Sequence, residues 1–181
     1  MNYLILINRN NTLDKNYIPK YLTDTCSKYK KGIKVVDKVN DMFLLMKLEA
    51  LKYGYDIDIM SGYRDYDYQV KLYNKLIKDK GFNYAYRIIA PPGASEHQTG
   101  LAIDICVYRY DKCYVEHELN NFSEISWIIK NAHRFGFILR YPKGKEDITG
   151  YSYEPWHFRY VGDIASYIYK NKITLEGYKR A

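Results

Sequence analysis

Hydrophobic residues recur at helical spacing in several stretches of the chain, with polar residues between them. From Val39 to Ala50 the apolar positions lie three or four residues apart, Asp37 can cap the start of such a helix, and Gly54 can end it. The same spacing predicts further helices over about 66–80, 123–135 and 163–170, and Gly81 and Gly136 stand where the first two of these would stop.

Short apolar runs bounded by polar or turn-forming residues predict strands. Because these strands and the helices do not alternate regularly, and 181 residues suit one ordinary domain, we expect a single α+β domain over residues 1–181. The strands are expected at 3–7, 57–60, 101–107, 137–139 and 156–161, with an ordered coil over 8–34, a Pro-containing loop at 90–93, an irregular excursion at 108–121 and a polar loop at 142–153.

Charge and cysteine content narrow the choice of partners. The formal charge is +7, from 28 Lys and Arg against 21 Asp and Glu, and the basic residues are scattered rather than collected in a long tract. A plain solvated surface is therefore the preferred interpretation, attraction to an anionic polymer is the alternative, and we expect no nucleic-acid partner. Three cysteines without a C-x-x-C pair indicate reduced thiols rather than a disulfide scaffold or a thiolate zinc site.

The beginning of the chain lacks the features of an export signal. Residues 3–7 are apolar, but the run is short and no basic segment precedes it. No stretch approaches the ~20 apolar residues that a membrane span needs, so we expect no integral membrane segment. As written, the sequence predicts a cytoplasmic protein, whereas a form trimmed of its export signal would belong to the cell envelope.

Two histidines and an aspartate are the strongest candidates for a metal site. His97 lies in a predicted loop, Asp104 interrupts an apolar strand, and His157 stands in the run E-P-W-H-F-R at 154–159. A carboxylate with apolar neighbours requires a cation or good donors. Catalytic zinc is typically held by three nitrogen or oxygen ligands, which leaves a fourth position for water. We therefore predict one Zn²⁺ ion bound by these three residues.

Glu154 stands three residues before His157 and is predicted to be a general base rather than a ligand. A carboxylate within hydrogen-bond reach of a zinc-activated water can take its proton and later return it to the leaving amine. Pro155 restricts the backbone beside Glu154. Non-haem iron oxygenases use the same donor types, but their first two ligands are usually one residue apart and no such base is needed. Zinc hydrolysis is therefore the favoured interpretation.

A second polar group is expected to bind the substrate. The run S-G-Y-R at 61–64 follows a predicted strand, and Arg64 can grip a carboxylate or stabilise the oxyanion formed at the attacked carbonyl. Gln69 and Ser95 would supply neutral donors beside it. His117 and His133 match no motif and are assigned to the surfaces of a loop and a helix, respectively.

Three ordered motifs resemble those of a known family. They are S-G-Y-R-x-x-x-x-Q at 61–69, S-x-H-x-x-G-x-A-x-D at 95–104 and E-x-W-H-x-R at 154–159. With L-I-L-I-N at 4–8 and G-F-I-L-R-Y-P at 136–142, they resemble the VanY-type D-alanyl-D-alanine carboxypeptidases, which are zinc peptidases related to lysostaphin-like enzymes and hedgehog domains. The resemblance is strongest to the VanXY type, which combines D,D-dipeptidase and D,D-carboxypeptidase activities.

The resemblance implies a function, a fold and a role for each motif residue. The implied function is hydrolysis of D-Ala-D-Ala, or removal of the terminal D-Ala from peptidoglycan precursors, as in vancomycin resistance. The implied fold has a small central antiparallel sheet with helices packed around it. The residues carried over are the zinc ligands His97, Asp104 and His157, the catalytic residues Glu154 and Arg64, and the substrate-binding residues Gln69, Ser95, Tyr141 and Trp156, the last in a supporting position.

Two alternatives stay open at this point. L,D-carboxypeptidases share the same motifs, so the stereochemistry of the substrate is not decided. A non-catalytic binding module with a zinc site, as in some hedgehog-like domains, is the second alternative, although Glu154 and Arg64 speak against it. Residues 108–121 vary among relatives and are expected to shape access to the cleft, which leaves dipeptidase, carboxypeptidase or dual activity open.

Overall fold

A central antiparallel sheet organises the molecule, whose structure is a computed structural model that describes residues 1–180. The strands, in chain order, are β1 (Leu22–Asp24), β2 (Lys34–Val36), β3 (Asp56–Ser61), β4 (Ala102–Arg109), β5 (Lys112–Tyr114), β6 (Phe137–Leu139) and β7 (His157–Tyr160). The helices are α1 (Asp37–Leu51), α2 (Tyr66–Lys80), α3 (Phe82–Ile88), α4 (Ser123–Asn131), α5 (Glu146–Thr149), α6 (Ala165–Asn171) and α7 (Leu175–Arg180).

Strand order in the central sheet is β3, β4, β7 and β6, with the short strand β5 paired to β4. All of these pairings are antiparallel, and a separate pair of strands joins β1 to β2. Antiparallel strands need no helical crossover between them, which accounts for the irregular succession of helices and strands in the sequence. The structure confirms the α+β fold with a central antiparallel sheet.

Helix α1 covers the core, as its periodicity predicts. Its buried residues are Val39, Phe43, Met46 and Ala50, which lie on one helical face. Asp37 is the first helical residue rather than the cap, since Val36 occupies the N-cap position. On the sheet side, the first six residues of β4, from Ala102 to Val107, are buried. Burial on both faces explains why β4 appears in the sequence as a nearly continuous apolar run.

Helix α2 has the predicted bounds, but its buried residue is polar. The Asp65 carboxylate caps it by accepting a hydrogen bond from the Tyr68 N–H at 2.7 Å, and Gly81, with φ of 85°, ends it. Its buried residue is Gln69. The apolar residues on α2 are only partly buried, and α3, which the sequence does not predict, follows directly and packs against α2.

The prediction of a strand at residues 3–7 is wrong. Within that stretch the backbone carbonyls of Tyr3 and Ile5 accept hydrogen bonds from Nη2 of Arg159, at 3.1 and 2.8 Å. A guanidinium thus takes the place that a neighbouring strand would have. The side chains of the segment still pack on the core, which explains the apolar pattern without a strand.

Three predicted irregular stretches contain regular structure. The coil expected over 8–34 includes β1, which pairs with β2 in a register that places Leu22 opposite Val36. The excursion at 108–121 contains β5 and a 3₁₀ turn, and the loop at 142–153 contains α5. These elements are short, from three to six residues, so too few positions repeat for a periodic pattern to reveal them.

A β-bulge at the end of β3 prepares the position of Arg64. The pairing of β3 with β4 shifts between Ile59 and Ser61, so that Ser61 lies opposite Asp104. Gly62 follows, and a Cβ at this residue would lie 2.3 Å from the Lys34 carbonyl oxygen, so only glycine allows the approach. The chain then turns, and the Arg64 N–H donates to the His97 carbonyl at 3.3 Å.

Candidate active site

The three predicted metal ligands converge from separate parts of the fold. His97 lies in a 3₁₀ turn, Glu96–Thr99, while Asp104 and His157 belong to the neighbouring strands β4 and β7. Asp104 and His157 are direct partners in the antiparallel register, which brings two residues distant in sequence side by side. We call these three residues the ligand cluster; all of them are buried.

The ligand cluster has the dimensions of a metal site. One ligand atom from each residue can be chosen so that all lie within 4.8 Å of one another. His97 Nε2 lies 3.2 Å from Asp104 Oδ2, and His157 Nδ1 lies 2.9 Å from Asp104 Oδ1. Two imidazole nitrogens and one carboxylate oxygen match the donor set that zinc accepts in catalytic sites.

The orientation of His97 also fits a metal. Its Nδ1 lies 2.6 Å from the Gly62 carbonyl oxygen, which can only accept, so the proton belongs on Nδ1. Nε2 then carries a lone pair directed at the cluster. Within residues 1–180 this buried Nε2 has no hydrogen-bond partner. A buried, unpartnered lone pair is costly unless a ligand completes it, and a metal ion would do so.

The two histidines have opposite electrostatic surroundings. Burial and the nearby Arg64 guanidinium lower the pKa of His97 to about 4. Burial alone would lower the pKa of His157 as well, but its hydrogen bond to Asp104 and the Glu96 carboxylate raise that pKa to about 9. The pKa of Asp104 is lowered well below its ordinary value, because the two imidazoles outweigh the effect of burial. The cluster therefore keeps one carboxylate negative near neutral pH.

Glu154 lies beside the ligand cluster and is nearly buried. Its Oε2 is 3.8 Å from His157 Nδ1, and its side chain is 12% exposed. The residue is held in a tight turn, because its N–H donates to the Tyr141 carbonyl and its own carbonyl accepts from the His157 N–H, both at 3.2 Å. Burial raises the pKa of Glu154 to about 7, although His157 opposes the shift. A carboxyl group with this pKa can accept and return a proton near neutral pH.

Arg64 supplies a positive charge on the other side of Asp104. Its Nη2 lies 3.6 Å from Asp104 Oδ2, and its side chain is 19% exposed. The buried Nε has no hydrogen-bond partner among the residues that the structure describes. Because the contact with Asp104 is long and one donor is unused, the guanidinium retains capacity for another anion.

Gln69 and Ser95 provide neutral polar atoms in the same cleft. Gln69 Nε2 donates to the Ala90 carbonyl at 2.7 Å, which orients the side-chain amide, and its Oε1 has no partner within the described part of the chain. Ser95 is buried directly before the 3₁₀ turn that carries the first histidine. Both side chains line the cleft, whose volume is about 300 Å³.

Aromatic side chains pack around the last ligand. The Tyr141 ring lies 4.9 Å from the His157 ring between centroids, and the Tyr151 ring lies 4.8 Å beyond Tyr141. Trp156 meets His117 edge to face at 4.8 Å. His117 is exposed, as predicted, but it lies in the 3₁₀ turn Glu116–Asn121 rather than in a loop, and it lines the cleft. The other unassigned histidine, His133, is half-buried against helix α6.

All nine predicted site residues line this one cleft, and several lining residues were missed. The missed apolar wall consists of Leu76 on α2 together with Tyr84, Ile88 and Ile89 on and after α3. Glu116 contributes a carboxylate at the rim. A short apolar helix face carries no chemical signature, so only the packing of α3 against α2 assigns these residues to the site.

Arg9 links two walls of the cleft. Its guanidinium donates to the carbonyls of Tyr86 and Gly150 and lies over the rings of Tyr86 and Tyr151, at 4.1 and 4.0 Å from their centroids. One side chain thereby joins α3 to the loop that precedes β7. No motif in the sequence pointed to this residue.

A second buried group of charged residues lies behind His157. It consists of Glu96, Arg140, Arg159 and Glu176, and we call it the arginine cluster. Glu96 Oε1 accepts from Arg140 Nε and from Arg159 Nη1, both at 2.8 Å, and Arg140 forms a two-pronged pair with Glu176 at 2.9 and 2.6 Å. Burial alone would raise the pKa of Glu96, but the two guanidiniums lower it well below its ordinary value.

A buried ligand cluster, an adjacent carboxylate and an adjacent arginine in an open cleft define a metal-dependent hydrolase. Residues 32–163 match the family described as D-alanyl-D-alanine carboxypeptidase, VanY. The chain belongs to this family. Among residues 1–180, no helix has both the length and the apolar character needed to cross a membrane.

Individual relatives agree with this assignment. The chain is 36% identical to the bifunctional D-Ala-D-Ala dipeptidase and D-Ala-D-Ala carboxypeptidase VanXYC of Enterococcus gallinarum, over 98% of this chain and 94% of the relative. It is similar to the LD-carboxypeptidase LdcB, with a TM-score of 0.90 and 39% identity over 99% of this chain and 86% of that chain. It is also similar to a vancomycin resistance D,D-pentapeptidase VanY in complex with Zn(II), with a TM-score of 0.84 and 33% identity over 99% of both chains.

Proposed function

We propose that this protein is a zinc-dependent D,D-peptidase that hydrolyses D-Ala-D-Ala, or removes the C-terminal D-Ala of peptidoglycan precursors. The observation that carries the proposal is the ligand cluster with Glu154 beside it in an open cleft. The family match and the similarity to a VanY protein that binds Zn(II) support the choice of metal and reaction. The similarity to VanXYC supports a D-Ala-D-Ala substrate.

His97, Asp104 and His157 are the proposed holders of one Zn²⁺ ion. The ligand atoms are His97 Nε2, His157 Nδ1 and a carboxylate oxygen of Asp104, because these are the atoms that face one another. When bound, zinc supplies Lewis acidity toward the scissile carbonyl and makes a water molecule acidic enough to lose its proton near neutral pH.

Glu154 and Arg64 have complementary proposed roles in the reaction. The Glu154 carboxylate would take the proton of the attacking water and then give it to the leaving amine. The Arg64 guanidinium stabilises the negative charge that develops on the attacked carbonyl oxygen, or holds the terminal carboxylate of the substrate. No covalent enzyme intermediate is needed.

The remaining site residues are proposed to orient the substrate. Gln69 and Ser95 offer neutral donors and acceptors for its terminal carboxylate and amide. The Tyr141 ring packs on His157 and forms part of the wall, with Trp156 in a supporting position. Holding the scissile bond at a fixed place relative to the base lowers the activation barrier, because the entropy of bringing the reacting groups together is lost on binding rather than in the reaction step.

A comparison of amide substrates tests the proposal. Zinc-loaded protein should release D-alanine from D-Ala-D-Ala or from a pentapeptide stem that ends in D-Ala-D-Ala, and removal of the metal with a chelator should abolish the release. Adding Zn²⁺ back should restore it. Zinc-loaded protein that binds these peptides without cleaving them would instead be a binding module.

A second candidate is an L,D-carboxypeptidase that acts on tetrapeptide stems. The structural similarity to LdcB favours it. The same assay decides between the two, because a D,D-peptidase cleaves the pentapeptide stem and spares the tetrapeptide, whereas an L,D-carboxypeptidase does the reverse. Rates on the free dipeptide then distinguish dipeptidase from carboxypeptidase activity.

A further inference from the structure

Two buried atoms that need partners face each other behind the ligand cluster. Glu96 Oε2 and His157 Nε2 lie 3.8 Å apart. Neither atom has a hydrogen-bond partner within residues 1–180, and both side chains are at most 5% exposed. His157 Nδ1 points the other way, toward Asp104 Oδ1 at 2.9 Å. One nitrogen of the imidazole thus points to the ligand cluster and the other to Glu96.

The arginine cluster fixes which oxygen of Glu96 is available. Oε1 is fully engaged by Arg140 Nε and Arg159 Nη1, each at 2.8 Å. Arg140 is itself anchored by Glu176 on α7, and Arg159 by backbone carbonyls near the start of the chain. The Glu96 carboxylate therefore cannot turn away from the imidazole without breaking buried, charge-assisted hydrogen bonds.

We propose that Glu96 is a positioning residue that accepts the Nε2–H of His157, and thereby holds the ring with Nδ1 unprotonated and directed at the metal. The inference rests on the proposed zinc site. A carboxylate behind a ligating histidine is a recurrent way of fixing tautomer and orientation. Here the carboxylate belongs to the residue directly before His97, so a single turn supplies a ligand and the support of a second ligand.

Glu96→Gln is a sharp test because the amide cannot copy the carboxylate. The two arginine donors require an oxygen, so they keep the amide oxygen in the Oε1 position and leave the NH₂ group facing His157. When His157 ligates through Nδ1, its Nε2 carries a proton, and two donors then oppose each other. Zinc binding should weaken about 10- to 100-fold, the range typical of such supporting residues.

Glu176→Gln is the matched control. It makes the same chemical change in the same arginine cluster, but Glu176 reaches His157 only through Arg140 and Glu96. Both variants should lose thermal stability without metal. Zinc affinity, measured by competition with a chromophoric chelator, should fall in Glu96→Gln and stay within about twofold of wild type in Glu176→Gln. Equal losses of affinity in the two variants would overturn the proposal, as would unchanged affinity in Glu96→Gln.

A measurement on the wild type keeps the proposal testable if Glu96→Gln does not fold. In zinc-loaded protein labelled with ¹⁵N at histidine, the His157 Nε2 should carry a proton that exchanges slowly with solvent and resonates downfield, as expected for donation to a carboxylate. A rapidly exchanging or absent Nε2–H would contradict the assignment. Failure of the wild type to bind zinc at all would refute the proposed function instead, so the two failures are distinguishable.

Discussion

Two buried groups of charged side chains lie at the two nitrogens of the His157 ring, and they differ in how completely they are paired. In the arginine cluster, each guanidinium meets a carboxylate or a carbonyl at 2.6–3.1 Å. In the ligand cluster, two imidazoles crowd one aspartate, Arg64 remains 3.6 Å away, and His97 Nε2 has no partner in the described chain. The two groups are similarly buried, but in the arginine cluster Glu96 Oε2 is left without a partner while both guanidiniums are paired, whereas the ligand cluster holds no complete set of hydrogen bonds.

This difference in hydrogen bonding distinguishes residues that stabilise the fold from residues that can bind a ligand or react. Buried polar groups are nearly always hydrogen-bonded, so a group left incomplete indicates a ligand or a reaction. The arginine cluster joins the start of the chain, the residue after β6, strand β7 and helix α7 through hydrogen bonds that are already made. The ligand cluster keeps unused capacity, because His97 Nε2 and His157 Nε2 have no hydrogen-bond partner among residues 1–180. Four predictions test whether the division is correct.

The largest expected effect is on turnover in Glu154→Gln. Loss of a general base typically costs about 10²- to 10⁴-fold in rate, while zinc binding should persist because Glu154 is not a proposed ligand. Single-turnover rates and metal content measured on the same sample provide the test. Asp147→Asn, on the surface of α5, serves as a control and should keep wild-type turnover. Loss of zinc in Glu154→Gln would show that the residue is a ligand.

The largest effect on stability is expected in Arg140→Met. This change leaves Glu96 and Glu176 as buried carboxylates with fewer partners, and breaking a buried ion pair in this way costs about 3–5 kcal/mol. Denaturant unfolding of the metal-free protein measures it. Arg134→Met is the control, because Arg134 is exposed on a 3₁₀ turn and should change stability by less than about 0.5 kcal/mol. Equal effects of the two changes would mean that the arginine cluster is not a support.

A smaller effect, with a definite pH dependence, is expected from Glu154 in the metal-free protein. Burial raises the pKa of Glu154 from 4.5 to about 7. The protonated form is thus favoured by folding, so its stabilising contribution is complete below pH 4.5 and is lost as pH rises through 7. Wild type should lose stability relative to Glu154→Gln across this window. A difference that is constant between pH 4.5 and 8 would contradict the raised pKa.

The smallest effect is expected from an exposed ion pair, which sets the baseline for the buried clusters. Lys15 Nζ lies 3.3 Å from Asp67 Oδ1, and both side chains are more than 60% exposed. Lys15→Ala should change the free energy of unfolding by less than about 1 kcal/mol, because solvent screens exposed pairs. A change as large as that of Arg140→Met would show that burial does not distinguish the clusters.

Periodicity predicted α1 and α2 to within a few residues. Each helix has 15 residues, which is long enough for the helical spacing of apolar residues to be recognised, and glycine marks the end of α2. The strand predicted at residues 3–7 failed for a long-range reason. Its carbonyls are bonded by Arg159, a residue from the other end of the chain. The short elements β1, β5 and α5 leave too few positions for any period to be seen.

The chemistry of the site was encoded in the residue types and their order. Two histidines, an aspartate and a glutamate in two motifs suffice to predict a metal and a base, since metal coordination accepts few donor sets, and the motif at 61–69 adds to the resemblance to the family. Only the tertiary structure decided what surrounds them: the apolar wall of α3, the Arg9 link and the arginine cluster behind His157. Such contacts join residues with no fixed spacing, and which donor meets which acceptor is settled when the sheet and helices pack.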